Sequence, residues 1–206
     1  MEAVLGFRTA TEAEVVLAFL RGEIDSRRFG NDVRQALVDA GGLELVLHPD
    51  LNSEDENRAR ESALSVARGW RDAELFEGFP EAVNWYHGVM QPDLLSRVRF
   101  IDYSYWNELS GGSRRPADVL ATLQAGKLPR WLTKLGTSWC FEFAAHLATT
   151  EVVDDIIVMA TPDLSELVLL EGHARLTAIF VGGLQDRLTV RAYLGLSEAI
   201  DQWSCF

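Results

Sequence analysis

The sequence predicts an α+β fold, in which a helical N-terminal region is followed by a small mixed sheet with flanking helices. Over the first ninety residues, apolar side chains recur at helical spacing between capping signals, whereas β-branched runs appear only after residue 97. The composition, with 48% hydrophobic and 24% charged residues, is that of an ordinary globular protein. The change of pattern near residues 91–95 divides the chain into a helical region, 1–92, and a second region, 93–206, and the two could pack as one unit.

Three helices are predicted in the first region. Thr11 is a typical N-cap, and Glu14 three residues later completes a capping box for a helix that runs to Leu20. A second helix is expected over Asn31–Ala40, with Asn31 as its cap and two glycines after its end. The long charged segment Ser53–Glu74 carries apolar residues at helical spacing and predicts a third helix.

The second region alternates strand and helix signals. Val98–Tyr103 predicts a strand, and the Ser-Gly-Gly-Ser sequence at 110–113 predicts a tight turn. Pro116–Gln124 follows as a helix that ends at Gly126, because proline favours the first turn of a helix and glycine its end. Trp139–Ala148 is apolar and predicts another helix.

The last third of the chain predicts a hairpin that leads into a helix. Asp155–Ala160 and Leu167–Leu170 are short apolar runs separated by a Thr-Pro-Asp turn signal. His173–Val181 then predicts a helix stopped by two glycines, and Thr189–Tyr193 predicts the last strand.

Charge and composition exclude several classes of function. The net charge is −12 and neither half of the chain is basic, so a nucleic-acid partner is disfavoured. No apolar run approaches the ~20 residues that span a bilayer, and the first twenty residues carry four charged side chains where a signal peptide is apolar. We therefore expect no membrane association and a cytoplasmic location, with Cys140 and Cys205 as free thiols.

One segment, LVLLEGHARLTAIFVGG at 167–183, carries clear chemical content. A strand enters Glu171-Gly172 and a helix begins within two residues, so the free backbone amides of residues 173–175 should point out of the turn together. Gly172 permits a positive φ, the helix dipole favours an anion, and Arg175 in the first turn suits a bidentate phosphate contact. The plainer alternative is a turn glycine, a solvated Glu171 and a surface ion pair at Arg175.

The sequence EGHARLTA at 171–178, placed after a hairpin, resembles the phosphate-binding box of the ParB/sulfiredoxin-like superfamily. The resemblance covers roughly residues 95–195 and implies a nucleotide ligand (ATP, ADP or CTP) with Mg²⁺. Residues that would bind its phosphates are Gly172, His173, Ala174 and Arg175. In free serine kinases of this superfamily the box carries an Asp, so Glu171 would hold Mg²⁺ or assist proton transfer together with His173 as catalytic residues.

The resemblance also extends upstream of the hairpin. Glu108 corresponds to a kinase carboxylate and Arg114 to an upstream arginine of ParB proteins, while Ser113 and Arg114 could cradle a second phosphate; a solvent-exposed turn is the alternative. Trp106 is the aromatic residue expected to contact a base or substrate. The box contains no cysteine, which removes sulfiredoxin chemistry, and Ala174 replaces the second histidine of the kinases.

The sequence therefore supports more than one class of function. The first is an enzyme, kinase-like or a nucleotide hydrolase, that acts on a small polar metabolite. The second is a non-catalytic, nucleotide-responsive binding or regulatory module, and the third is an interaction protein that has lost the ligand. A homodimer is open in each case. Glu142 and His146, four residues apart on a predicted helix, are expected to be an ordinary helix pair and not metal ligands.

Overall fold

A six-stranded mixed sheet organises the residues that the computed structural model describes, 6–126 and 128–206. Its order is β1-β2-β6-β4-β5-β3; the pairs β4–β6 and β3–β5 are parallel and the others antiparallel. The α+β class is thereby confirmed. The strands are β1 (Phe7–Thr9), β2 (Asn84–Val89), β3 (Arg99–Phe100), β4 (Val152–Ala160), β5 (Leu167–Glu171) and β6 (Thr189–Leu196).

Helices of the first region cover one face of this sheet. They are α1 (Glu12–Glu23), α2 (Gly30–Ala40), α3 (Glu44–Leu47) and α4 (Glu54–Arg68). Their apolar side chains pack with the sheet residues Trp85, Ile157, Met159, Val168 and Leu170 in one buried cluster. The strands alternate, so every second side chain serves this cluster.

Helices of the second region cover the opposite face. They are α5 (Pro92–Leu95), α6 (Ser104–Leu109), α7 (Val119–Ala125), α8 (Arg130–Leu135), α9 (Ser138–Leu147) and α10 (His173–Val181). A short 3-10 turn, Pro116–Asp118, leads into α7. Sheet residues Ile156, Val158, Leu167 and Leu169 point into this second cluster. None of the described helices combines the length and apolar character needed to cross a membrane.

Local sequence signals predicted one helix start correctly, and one start and one end wrongly. The capping box of α1 is confirmed, since the Thr11 hydroxyl accepts from the Glu14 amide and the Glu14 carboxylate accepts from the Thr11 amide. Asn31 is not a cap, because α2 begins one residue earlier, at Gly30. The third predicted helix ends at Arg68 and not at residue 74, since Gly69 adopts a left-handed conformation that closes it.

Two strands fall in the region expected to be mostly helical. β1 and β2 belong to the same sheet as the later strands, so the sheet is built from both sides of residue 92. β2 contains a glycine and a histidine and has no β-branched run, and its pairing with β6 imposes the strand. β3 is shorter than the predicted Val98–Tyr103, because the Asp102 amide bonds to the Cys205 carbonyl and α6 begins at Ser104.

The predicted hairpin and the helix after it are confirmed. β4 and β5 pair antiparallel, and α10 occupies the predicted His173–Val181. The register of β4 against β6 shifts between Val153 and Ile156, which indicates a bulge that contains Asp155. This arrangement brings Asp155 and the end of β5 to the same edge of the sheet.

Candidate anion-binding site

The turn from β5 into α10 is made by one glycine. Gly172 has a φ of +99°, as the sequence predicts, and a Cβ atom at this position would lie 2.5 Å from Cγ2 of Ile156. Both the positive φ and the close approach require glycine. The strand therefore ends at Glu171 and the helix begins at His173 with no intervening loop.

The first amides of α10 are left without helical partners. The first backbone bond of the helix runs from the Leu176 amide to the Gly172 carbonyl, at 2.9 Å. No side chain of the described residues caps Gly172, and Ala174 in the first turn is exposed. The backbone N–H groups of residues 173–175 are therefore free to donate hydrogen bonds, and they lie at the positive end of the helix dipole.

The Arg175 guanidinium is bonded to other residues inside the protein. Its Nη2 atom donates to the Glu171 carboxylate and, at 3.0 Å, to the Asp155 carbonyl, and both charged residues are only 9% exposed. The sequence led us to expect a guanidinium free to bind phosphate and a Glu171 carboxylate free to hold Mg²⁺ or assist proton transfer, and the structure instead pairs them with each other. Helical side chains point back towards the helix N-terminus, so Arg175 meets the residue one turn before it. Burial raises the pKa of Glu171, while Arg175 opposes that shift.

The N-terminal helices close over this ion pair. A Cβ atom on Gly22 of α1 would lie 3.0 Å from Arg175 Nη2 and 3.1 Å from Glu171 Oε2. The next residue, Glu23, pairs with Arg68 of α4 at 3.0 Å. Two charge pairs thus lie side by side at the C-terminal end of α1.

His173 lies beside Trp106, the aromatic residue predicted to contact a ligand. Its ring stacks on Trp106 at 4.9 Å, and Phe100 stacks on the same indole at 4.8 Å. Phe100 and His173 are only 5.8 Å apart, so they share one face of Trp106. Within the described chain, His173 Nε2 is buried and has no hydrogen-bond partner. Burial, followed by the charges of Arg68 and Arg175, lowers the pKa of His173 to about 3, so the imidazole is neutral.

The predicted second phosphate cradle is internally bonded. Arg114 donates from Nε to the Phe100 carbonyl (2.9 Å), from Nη1 to the Phe206 carbonyl (2.8 Å) and from Nη2 to the Cys205 carbonyl (3.2 Å). The Ser113 hydroxyl donates to the Ser110 carbonyl. These bonds give Arg114 and Ser113 a structural role, which corrects the expectation that they are free phosphate ligands.

A cleft of about 610 Å³ adjoins this second turn. Its lining includes Glu108, the predicted upstream carboxylate, together with Asp118 and Thr122 of the following turn and helix. Two carboxylates disfavour an anion, so the cleft does not suit a phosphate. Residues 171–175 do not line it, and the structure therefore separates Glu108 from the turn at Gly172.

The proposed metal role of Glu171 is not supported by its surroundings. Its carboxylate is buried and paired with Arg175, whereas a Mg²⁺ ligand needs an open oxygen beside water or phosphate. Within residues 6–126 and 128–206, no group of three or more His, Cys, Asp or Glu side chains is arranged to hold a metal.

Sequence reasoning missed a polar cluster at the same sheet edge. The Asp155 carboxylate accepts from His87 Nε2 at 3.2 Å and forms an ion pair with Arg191 Nε at 3.1 Å, and the His87 ring stacks on Tyr193 at 4.4 Å. Burial and the Asp155 charge raise the pKa of Tyr193 to about 12. The cluster joins three strands whose pairing no local pattern reveals. It touches the candidate site because the Asp155 carbonyl accepts from Arg175.

Comparison with known proteins adds no relative. No protein-family model matches the chain, and neither curated proteins nor solved structures give a match. The likeness to the ParB/sulfiredoxin-like box therefore stays a prediction made from the sequence.

Proposed function

We propose that this protein binds a nucleotide by its phosphates at the N-terminus of α10. It would act as a ParB/sulfiredoxin-like enzyme that transfers a phosphoryl group to a small polar metabolite or hydrolyses the nucleotide. The observation that carries the proposal is the set of uncapped amides at 173–175 beside the neutral imidazole of His173, whose Nε2 atom is buried and has no partner in the described chain.

The start of the helix supports an anion at this position. The chain as a whole carries −12, and the nearby Arg68 and Arg175 are each paired with a glutamate, so the positive end of the α10 dipole is the local source of positive potential. A positive potential at uncapped helix amides favours a phosphate over a neutral ligand. An uncapped helix start also leaves donors that gain free energy when an anion accepts from them.

The aromatic residues near the turn support a nucleotide over inorganic phosphate. Phe100 and His173 share one face of Trp106, which leaves the opposite face without a parallel ring in the part of the chain that the structure describes. Trp106 is half-buried and Tyr105 and Trp139 meet its indole edge to face, at 4.8 and 6.5 Å, so a base would join an existing aromatic cluster. The residues at the turn fit phosphate oxygens and not a metal ion, so Mg²⁺ would arrive on the nucleotide phosphates.

A second candidate, the non-catalytic nucleotide-responsive module, is favoured by one observation. Gly22 lies against the Glu171–Arg175 pair, and the Glu23–Arg68 pair lies beside it. A ligand at α10 would therefore alter how α1 and α4 pack on the sheet. In that case nucleotide binding raises thermal stability without turnover.

The cysteines support a cytoplasmic location for the protein. Cys140 and Cys205 are both free and buried, as expected in a reducing cytoplasm.

Exposed apolar residues on α8 and α9 support a homodimer. The large side chains of Trp131, Leu135 and Phe141 are at least 43% exposed, and a homodimer through these two helices would cover them.

The decisive variant is Ala174→Glu, with Ala174→Gln as its control. Ala174 is exposed in the first turn, where a carboxylate suits the helix dipole and leaves stability unchanged or slightly higher. The same carboxylate repels a phosphate, so we expect affinity for ATP, ADP or CTP to fall at least tenfold in A174E and to stay near the wild-type value in A174Q. Calorimetric titration measures the affinity, and nucleotide turnover is followed in parallel.

Each outcome separates the candidates. Binding with turnover supports the enzyme, and binding without turnover supports the regulatory module. Equal affinity in A174E and wild type, or no nucleotide binding by the wild-type protein, refutes the site.

A further inference from the structure

We propose that the Glu171 carboxylate is an internal stand-in for the ligand's phosphate, which a bound anion must displace from Arg175. The resting site is then self-occupied, and Glu171 sets the affinity. This inference rests on the proposed function, because it concerns regulation of the same site.

The position of the carboxylate carries the argument. Glu171 precedes the N-cap of α10, and its carboxylate accepts from Arg175 Nη2 while the Gly172 amide stabilises its charged form. A guanidinium and a backbone amide at a helix start are the donors that a phosphate oxygen would use. The protein therefore places its own anion where the ligand's anion is expected.

Arg175 retains unused donor capacity. Its Nε atom is buried and without a partner among the described residues, although its Nη2 atom bonds to Glu171 and to the Asp155 carbonyl. An arginine can present two parallel N–H groups to one anion, and the single-atom contact with Glu171 leaves that geometry incomplete. A tetrahedral anion that reaches both donors forms one more hydrogen bond than the carboxylate does.

Displacement of the Glu171 carboxylate requires α1 to move. A single added Cβ on Gly22 would already come within 3.0–3.1 Å of the ion pair, so there is no room for the carboxylate to move while α1 stays in place. The Glu23–Arg68 pair, one residue further along, holds this end of α1 to α4. Ligand binding is thereby coupled to loosening of the C-terminal turn of α1.

The test compares sulfate binding by the wild-type protein, Glu171→Gln and Glu171→Asp. Sulfate is the probe because its charge does not change over the neutral pH range. E171Q keeps the size and one acceptor oxygen but loses the charge that competes, so we expect sulfate to bind at least tenfold more tightly. E171D keeps the charge and should not show this gain.

The pH dependence of sulfate affinity is a second test. A protonated Glu171 carboxyl competes less with sulfate for Arg175 than a charged carboxylate does. Wild-type affinity for sulfate should therefore rise as pH falls, and E171Q should lose most of this dependence. The charged groups that face Glu171 are Arg175 from α10, Arg68 from α4 and Glu23 from α1, and they are common to both proteins. His173 is neutral in this pH range.

Hydrogen exchange of wild-type α1 supplies a readout that needs no variant. Amides of residues 18–23 should exchange faster when sulfate is added. Equal or weaker sulfate binding by E171Q overturns the inference; if E171Q does not fold, unchanged exchange in α1 overturns it. Binding that A174E abolishes but E171Q does not improve sinks this inference alone, whereas absence of any anion or nucleotide binding sinks the proposed function.

Discussion

Two turns of this protein look alike in sequence and differ in what their donors do. Residues 110–116 and 171–175 both place glycine and polar side chains before a helix. In the first turn, Arg114 donates hydrogen bonds to three backbone carbonyls, those of Phe100, Cys205 and Phe206. In the second, the amides at the start of α10 have no side-chain cap among the residues described, and Arg175 is paired with a charge instead of with the backbone alone.

The difference teaches that a binding site is defined by donors left over after folding. An arginine close to a helix start predicts a phosphate ligand equally well in both turns, but two of the three carbonyls that accept from Arg114 belong to residues more than ninety positions away. A buried arginine satisfied by neutral carbonyls fixes the backbone, whereas one that faces a buried carboxylate can exchange that partner for another anion. Substitutions of Arg175, Gly172 and His173 at the second turn test this difference.

The largest effect is expected from Arg175→Met. Removal of one partner leaves the Glu171 charge buried and unpaired, which should lower the free energy of unfolding by about 3–5 kcal/mol. The matched control is Arg191→Met, whose side chain is 46% exposed in its pair with Asp155 and should cost less than about 1 kcal/mol. Urea denaturation at neutral pH measures both. Similar losses for the two variants would mean that the Glu171–Arg175 pair is not effectively buried.

A smaller loss is expected from Gly172→Ala, compared with Gly112→Ala in the other turn. Both glycines have a positive φ, +99° and +89°, so both substitutions strain the backbone by about 1 kcal/mol. Only at Gly172 does the added Cβ meet Ile156, at 2.5 Å, while at Gly112 nothing lies within 4 Å. Overpacking should raise the cost at Gly172 to about 3 kcal/mol. Equal melting temperatures for the two variants would show that the β5–α10 turn relaxes freely.

Sequence reasoning predicted the local parts of this site well. The hairpin, the positive φ of Gly172 and the bounds of α10 all follow from short-range signals that tertiary structure did not override. These features depend on residues close together in the chain. Trp106 was expected to contact a ligand, and the structure places it beside His173 because β3, the strand before its helix, pairs with β5.

What the sequence did not reveal depends on distant partners. The internal pairing of Arg175 needs Gly22 of α1 to close over it, and the cluster around Asp155 needs β2, β4 and β6 side by side. β2 lacks a β-branched run and forms because it pairs with β6, and β1 forms because it pairs with β2. Burial is the property that changes the chemistry of Glu171 and His173, and it is set by these long-range contacts.

The mildest test is the pH dependence of stability that His173 imposes. Its pKa is about 3 in the folded protein, against an ordinary value near 6.5 in the unfolded chain. Between these values the unfolded state binds a proton that the folded state does not, so stability is full above pH 6.5 and falls as the pH drops. At pH 5 the loss should be about 2 kcal/mol, since one pKa unit corresponds to about 1.4 kcal/mol.

His173→Gln removes this titration, and His48→Gln, at the exposed C-cap of α3, controls for loss of a histidine. Denaturation curves at pH 8 and pH 5 should differ less in H173Q than in wild type by that amount, whereas H48Q should follow wild type. The raised pKa of Glu171 acts in the opposite direction and is shared by all three proteins, so the difference between them isolates the imidazole. Parallel profiles for H173Q and wild type would mean that solvent reaches the His173 ring nitrogens, and a neutral imidazole beside the α10 amides would then no longer support an anion site.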